Sequence, residues 1–119
     1  MPRVLIVEDE MLIRHLVCEE LKDAGFEVEG ARNGDEALVI LGQGEAFDLV
    51  FTDVEMPGRI DGYQLGKWAL SNIFDVRVIY ASGHDYDQTP LSQRERRLKK
   101  PYQIFDILAA AASLGVSVS

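Results

Sequence analysis

The chain has 119 residues, of which 47% are hydrophobic and 27% are charged, a size and composition that suit one globular domain and exclude a disordered chain. The formal net charge of −8 at pH 7 disfavours direct contact with nucleic acid and with anionic membranes, because like charges repel. The single cysteine excludes an intrachain disulfide and a thiolate metal cluster, and neither a signal peptide nor a long apolar segment is visible, so we expect a cytoplasmic protein.

Segments that predict strands alternate with segments of helical periodicity along the whole chain. The strands are predicted at the apolar runs 3–7, 48–52 and 77–81, at the alternating stretch 26–31 and, from a weaker signal, at 96–99. The segments that predict helices are 11–24, 35–43, 61–72 and 102–112. Residues 84–93 contain Pro90 and predict a loop in which a fourth helix is short or disordered, and the serine-rich end, 113–119, predicts a fraying tail. This alternation predicts an α/β fold, with a doubly wound parallel sheet and helices on both faces.

Polar residues follow four of the five predicted strands. They are Glu8 and Asp9 after the first strand, Asp53 after the third, Ser82 and Gly83 after the fourth, and Lys100 after the fifth. Because ligands of such sheets bind outside the carboxyl ends of the strands, these side chains are expected at one edge of the sheet. Three clustered carboxylates repel one another unless a cation lies between them, and oxygen ligands are typical of Mg²⁺ or Mn²⁺. A carboxylate beside a metal, a lysine and a hydroxyl is typical of phosphoryl transfer.

The sequence resembles the receiver domain of two-component response regulators over nearly its whole length. The stretches that carry the resemblance are Glu8-Asp9 after VLIV, Asp53 in FTDVEMPG, Ser82-Gly83 in VIYASG, Lys100-Pro101 in LKKPY, residues 33–38 and Asp61-Gly62. The resemblance implies strand order 2-1-3-4-5 and a phosphoryl group that passes to Asp53 from a phosphohistidine of a sensor kinase or phosphotransfer protein. It also implies a conformational switch that acts on a downstream protein, with self-catalysed phosphorylation and slow dephosphorylation rather than enzymatic turnover.

The resemblance also implies a role for each site residue. The implied metal ligands are Asp9, Asp53, the backbone carbonyl of Glu55 and, through a bound water, Glu8. Lys100 would pair with the phosphoryl oxygens, and Ser82 would donate a hydrogen bond to one of them. The turn at Met56-Pro57 would then direct the carbonyl of Glu55 towards the metal.

Arg97 departs from the family pattern, because the family usually has an aromatic residue three positions before the lysine. That aromatic residue reports the phosphorylation state in the family. In this chain, the residue that acts as the switch stays open between Ser82, Tyr80, Arg97 and Tyr102.

We expect one receiver domain over residues 1–119 with no output domain. The resemblance also allows a homodimer whose interface is the face formed by the fourth helix, the fifth strand and the fifth helix.

Other functions fit parts of the sequence. A receiver without a working switch would be a phosphorylation-independent interaction module, and Arg97 favours it. A phosphatase of the haloacid-dehalogenase type also uses aspartate and Mg²⁺, but it needs a second aspartate two residues after the nucleophile, where this chain has Glu55. The basic cluster at residues 94–100 predicts a solvated face rather than a nucleic-acid site. Residues 11–17 are either core or a docking patch for a kinase helix.

Overall fold

The computed structural model describes residues 1–83 and 90–118, which form one sheet flanked by helices. Its strands are β1 (Arg3–Val7), β2 (Glu27–Ala31), β3 (Leu49–Asp53), β4 (Arg77–Ser82) and β5 (Glu95–Lys99), and its helices are α1 (Met11–Asp23), α2 (Gly34–Leu41), α3 (Gly62–Asn72) and α4 (Ile104–Ser113). All neighbouring strands are parallel, in the order β2-β1-β3-β4-β5, which confirms the predicted topology. The helix expected between β4 and β5 falls mainly on residues 84–89, outside the described part of the chain.

The sheet separates two apolar layers. Helices α1 and α4 cover one face, where Leu21 and Ile107 pack on Phe51 of the central strand β3. Helices α2 and α3 cover the other face, where Leu41 and Leu65 pack with the apolar strand side chains that point to that face. Every residue of β3 is buried, so a continuous apolar run marks this strand in the sequence, as expected for a parallel sheet covered on both faces.

Helix α3 begins against the end of β3. Asp61 caps the helix by accepting a hydrogen bond from the backbone of Gln64, whose side chain accepts one from the backbone of Asp61 in return. The next residue, Gly62, donates its backbone N–H to the carbonyl of Val54 at 2.9 Å. A Cβ atom at Gly62 would overlap the carbonyl oxygen of Asp53, so glycine permits this close approach.

The segment after α4 is ordered structure, and the prediction of a fraying tail is wrong for residues 114–116. Leu114 and Val116 are buried, with 6% and 8% of their surface exposed, in the layer beside α1 and α4. Gly115 between them has φ of 85°, and the N–H of Val116 donates to the carbonyl of Ala111 at 2.9 Å. This is the glycine-based helix ending in which an apolar residue packs back on the last turn. Residue 119 lies outside the described residues.

Among residues 1–83 and 90–118, none of the helices has the length and hydropathy that crossing a bilayer requires.

Candidate functional site

The carboxyl ends of the strands bring the predicted polar residues to one edge of the sheet. The strands are in register there, with Thr52 beside Val7 and Asp53 beside Ala81. Carboxylate oxygens of Glu8, Asp9 and Asp53 all lie within 4.8 Å of one another. The arrangement expected from the strand ends therefore forms.

Burial raises the pKa values of two of these three carboxyl groups. Glu8 and Asp53 are 5% and 6% exposed, whereas Asp9 is exposed. Burial is the main reason that the pKa of Glu8 rises to about 7, and a hydrogen bond with Asp9 and the charge of Asp53 add to it. Burial likewise raises the pKa of Asp53, although the ammonium of Lys100 opposes the rise. The charged cluster is therefore unfavourable until a further cation neutralises it.

Lys100 supplies one positive charge to the site. Its Nζ atom lies 2.6 Å from Oδ1 of Asp53, and its backbone N–H donates to the carbonyl of Ser82 at 2.8 Å, which places it beside the end of β4. Burial lowers the pKa of Lys100, but the hydrogen bond and the charge of Asp53 outweigh that effect and raise it. Lys100 is therefore a cation at neutral pH.

Ser82, at the end of β4, forms a hydrogen bond with Glu55, which follows β3. Ser82 is buried, and its hydroxyl donates to Oε1 of Glu55 at 3.4 Å. Glu55 itself is exposed, so this contact lies between the buried strand end and solvent. The participation of the Glu55 carbonyl in a metal shell stays a prediction.

An apolar groove opens beside Asp53 between α1 and α4. It has a volume of about 570 Å³, and its lining residues include Asp53, Lys100, Tyr102, Ile13, Leu16 and Ile107. Tyr102 packs edge-on against Phe51 with ring centres 5.3 Å apart, and burial, with smaller contributions from the charges of Glu8 and Asp53, raises its pKa to about 12. Leu16 is 58% exposed and Val17 is buried, so residues 11–17 are partly core and partly an exposed apolar surface.

Two predicted switch candidates, Tyr80 and Arg97, lie away from the carboxylates. Tyr80 is fully buried, and its hydroxyl donates to the carboxylate of Glu95. Lys67 donates to both oxygens of that carboxylate, at 2.8 and 3.0 Å. Arg97 donates from Nε to the hydroxyl of Tyr63 at 2.9 Å. The sequence did not reveal the buried Glu95, although a tyrosine in an apolar run signals that its hydroxyl needs a partner.

The basic cluster at residues 94–100 is largely engaged within the chain. The contacts are Arg94 Nε with the Val76 carbonyl at 3.0 Å, Arg96 Nε with Ser113 Oγ at 3.2 Å, Arg97 with Tyr63 and Lys100 with Asp53. These cations hold neighbouring elements together, and the expectation that the cluster is not a nucleic-acid site stays a prediction.

The family model of the response regulator receiver domain matches residues 4–111 of the chain. The chain belongs to the receiver domain family. This receiver domain is 34% identical to the transcriptional regulatory protein PdtaR of Mycobacterium tuberculosis over 114 residues, which cover 91% of the chain and 54% of PdtaR. It is 31% identical to the receiver protein CpdR of Brucella abortus over 112 residues, which cover 91% of the chain and 92% of CpdR. The chain thus spans about half the length of PdtaR and most of CpdR.

Solved structures of the response regulator TrrA of Thermotoga maritima have the same fold. TrrA in complex with Mg²⁺-BeF is 32% identical, with a TM-score of 0.82, and the match covers 96% of this chain and 99% of TrrA. TrrA in complex with the histidine kinase ThkA is 31% identical, with a TM-score of 0.80, and the match covers 96% and 98% of the two chains. Membership of this family does not favour the phosphatase or the phosphorylation-independent interaction module.

Proposed function

We propose that Asp53 accepts a phosphoryl group from a phosphohistidine and that the receiver domain thereby acts as a switch, without turnover of an external substrate. The observation that carries the proposal is the cluster of three carboxylates within 4.8 Å, one of which lies 2.6 Å from the ammonium of Lys100. A carboxylate oxygen of Asp53 would attack phosphorus. The bond between phosphorus and the imidazole nitrogen would break, and the imidazole would leave with that electron pair and take up a proton.

The residues present fit a magnesium ion. Glu8, Asp9 and Asp53 offer hard oxygen ligands in one place. Burial is the main cause that raises the pKa values of Glu8 and Asp53, and a bound cation would favour their charged forms. Bound Mg²⁺, or Mn²⁺, would supply the charge that neutralises the carboxylates and the phosphoryl oxygens. The backbone carbonyl of Glu55 is the further ligand that the resemblance implies. The complex of TrrA with Mg²⁺-BeF supports the proposal.

Lys100 and Ser82 have positions from which they would hold the transferred group. The Lys100 ammonium lies 2.6 Å from Oδ1 of Asp53, so it would pair with the new phosphoryl oxygens. The Ser82 hydroxyl has its contact with Glu55 at 3.4 Å, a long hydrogen bond that it would exchange for a phosphoryl oxygen. Both contacts lie beside a buried carboxylate, where electrostatic interactions are stronger than in water.

The groove between α1 and α4 is the proposed docking surface for the phosphohistidine donor. It lies directly beside Asp53, and Ile13 and Leu16 give it an apolar side. An amphipathic helix of a sensor kinase or phosphotransfer protein would lay its apolar residues in such a groove. The complex of TrrA with the kinase ThkA supports a kinase as the partner. A downstream target, a homodimer and a cytoplasmic location stay predictions.

Intact-mass spectrometry after incubation with acetyl phosphate and Mg²⁺ tests the acceptor and the metal together. We expect the wild-type chain to gain one phosphoryl group, and a chelator to abolish the gain. Asp53→Asn should gain nothing. The matched control is Asp48→Asn, which changes an aspartate just before the opposite end of the same strand, and it should gain the group as the wild type does.

Two outcomes would contradict the proposal. A gain that survives in Asp53→Asn would show that another residue is the acceptor. No gain from acetyl phosphate, and none from phosphoramidate, whose phosphorus–nitrogen bond resembles that of phosphohistidine, would favour the phosphorylation-independent interaction module.

A further inference from the structure

A chain of hydrogen bonds fixes Tyr80 behind the functional site. We call Lys67, Tyr80 and Glu95 the Glu95 triad, of which Tyr80 and Glu95 are buried and Lys67 is exposed. The Glu95 side chain has no exposed surface, and it accepts hydrogen bonds from Lys67, from Tyr80 and from the backbone N–H of Ser92. If Tyr80 moved, a buried carboxylate would lose a donor, which is costly inside a protein.

Packing restricts Tyr80 as strongly as hydrogen bonding does. A Cβ atom at Gly66 of α3 would overlap the Tyr80 hydroxyl, so the ring lies directly on the helix backbone. The ring of Tyr63 lies against it, with ring centres 4.7 Å apart. Ser82 projects from the same face of β4 as Tyr80, two residues further on. The space behind Ser82 on this face therefore contains a fixed aromatic ring.

Arg97 joins β5 to α3 above that fixed ring. It is the register partner of Tyr80 in the sheet and is half-buried. Its Nε atom donates to the Tyr63 hydroxyl at 2.9 Å, and its guanidinium carbon lies 5.7 Å from the centre of the Tyr63 ring. We call Arg97 and Tyr63 the surface pair, since both residues are partly exposed.

The surface pair has a short physical path to the phosphoacceptor. Tyr63 follows Gly62, whose N–H donates to the Val54 carbonyl at 2.9 Å and whose α-carbon lies against the backbone of Asp53. A displacement of the backbone at Asp53 and Val54 therefore acts directly on the first turn of α3. Close-packed backbone contacts transmit such displacements because no side chain there can relax to absorb them.

We propose that the surface pair of Arg97 and Tyr63 reports phosphorylation of Asp53 through the first turn of α3, while Tyr80 stays fixed. The phosphorylated form would then present a changed surface between α3 and β5 to a downstream protein. This inference rests on the proposed phosphorylation of Asp53. It makes Arg97 a positioning residue that acts on Tyr63, and it excludes Tyr80 as the moving residue.

The test is ¹⁹F NMR of the whole chain labelled with 3-fluorotyrosine, before and after addition of Mg²⁺ and beryllium fluoride, the phosphoryl analogue found with TrrA. The chain contains four tyrosines, which single Tyr→Phe variants assign. We expect the resonance of Tyr63 to shift on addition, and that of Tyr80 to stay in place. The same spectrum shows bound beryllium fluoride, so occupancy of the site is measured independently.

Variants of Arg97 test the pair itself. Arg97→Met should reduce the Tyr63 shift, because the change in the hydrogen bond from Nε of Arg97 no longer contributes to it, and it should keep the bound beryllium fluoride signal. The matched control, Arg96→Met, changes the neighbouring arginine, whose guanidinium contacts Ser113 and Gln93 instead, and it should keep the shift. Arg97→Lys is a second variant that retains the charge at the edge of the sheet, and it should also reduce the shift because it lacks the Nε donor.

Several results would overturn the inference. A Tyr80 shift as large as that of Tyr63 would overturn it while the proposed phosphorylation site stands. A Tyr63 shift of undiminished size in both Arg97 variants would do the same. A bound beryllium fluoride signal without any tyrosine shift would do the same. The absence of that bound signal in the wild type would reject the phosphoacceptor site, and the inference would fall with it.

Discussion

At the scale of single residues, Glu95 combines full burial with a retained charge. Burial alone raises the pKa of its carboxyl group, but hydrogen bonds from Lys67, Tyr80 and Ser92 outweigh burial and lower the pKa from the usual 4.5 to about 2. A carboxyl group whose pKa is lower in the folded state stabilises the fold at any pH above the unfolded value. The stabilisation is lost as the pH falls from about 4.5 towards 2.

Glu95→Gln should therefore lower the free energy of unfolding in a pH-dependent manner. A shift of this size corresponds to about 3 kcal/mol at pH 7, and the difference between wild type and variant should shrink as the pH falls below 4.5. Urea unfolding at pH 7, 5 and 3.5 measures it. Glu27→Gln, an exposed glutamate in the opposite edge strand, is the control and should change stability by less than about 0.5 kcal/mol at each pH. A difference for Glu95→Gln that is constant with pH would contradict the assigned ionisation.

The sequence predicts some of these residues and not others for a physical reason. Glu8, Asp9 and Asp53 follow apolar runs, and Lys100 follows the fifth predicted strand. The rule that ligands bind at the carboxyl ends of parallel strands brings them together without knowledge of the packing. Glu95 stands among arginines and serines, where a glutamate is ordinarily exposed. Its burial depends on Lys67 of α3, 28 residues away, and no local pattern encodes that pairing.

At the scale of elements, the end of α4 shows where a compositional rule fails. The serine-rich segment after residue 112 predicts a frayed tail, but Leu114 and Val116 are apolar residues on either side of Gly115. That pattern is the signal of a glycine-terminated helix whose following residue packs back on the core. The alternation of strand-like and helical segments predicted the strands and helices correctly within a few residues. The signal is clearest for β1, β3 and β4, because these strands are buried on both faces.

Val116→Ala should destabilise the domain by about 2 kcal/mol, since it removes two buried methyl groups. Val116 is 8% exposed, whereas Val118, two residues later, is 42% exposed. Val118→Ala is therefore the matched control, with an expected change below about 0.5 kcal/mol. Urea unfolding of both variants measures the difference. Equal effects of the two substitutions would indicate that the segment frays, as the composition alone suggests.

At the scale of the whole molecule, the carboxylate cluster that we propose as the functional site lowers stability. A chain with a net charge of −8 places Glu8, Asp9 and Asp53 within 4.8 Å. Burial raises the pKa of Asp53, and the nearby ammonium of Lys100 reduces this rise without cancelling it. The charge of Asp53 therefore remains unfavourable in the fold. Sites of this kind commonly cost stability that a neutral substitution restores.

Asp53→Asn should therefore stabilise the domain when no divalent cation is present. The expected gain in the free energy of unfolding is about 1 kcal/mol, because the substitution removes a buried negative charge and keeps the shape of the side chain. Urea unfolding at pH 7 in a chelator measures it. Asp48→Asn should show no gain, since Asp48 accepts a hydrogen bond from the backbone N–H of Arg3 at 2.8 Å and lies away from the cluster. A loss of stability in Asp53→Asn would show that its ion pair with Lys100 outweighs the cost of burying its charge.

Magnesium should reverse the order of stability that the chelator reveals. A ligand that binds the folded state alone adds free energy of unfolding according to its concentration, about 2.7 kcal/mol at one hundred times its dissociation constant. The wild type should follow this dependence, and Asp53→Asn should gain much less because it lacks one carboxylate ligand. Thermal unfolding over a series of MgCl₂ concentrations measures both, with NaCl at equal ionic strength to separate binding from charge screening. An equal rise in the two proteins would place the magnesium away from Asp53, and the metal site would then have to be sought elsewhere on the acidic surface.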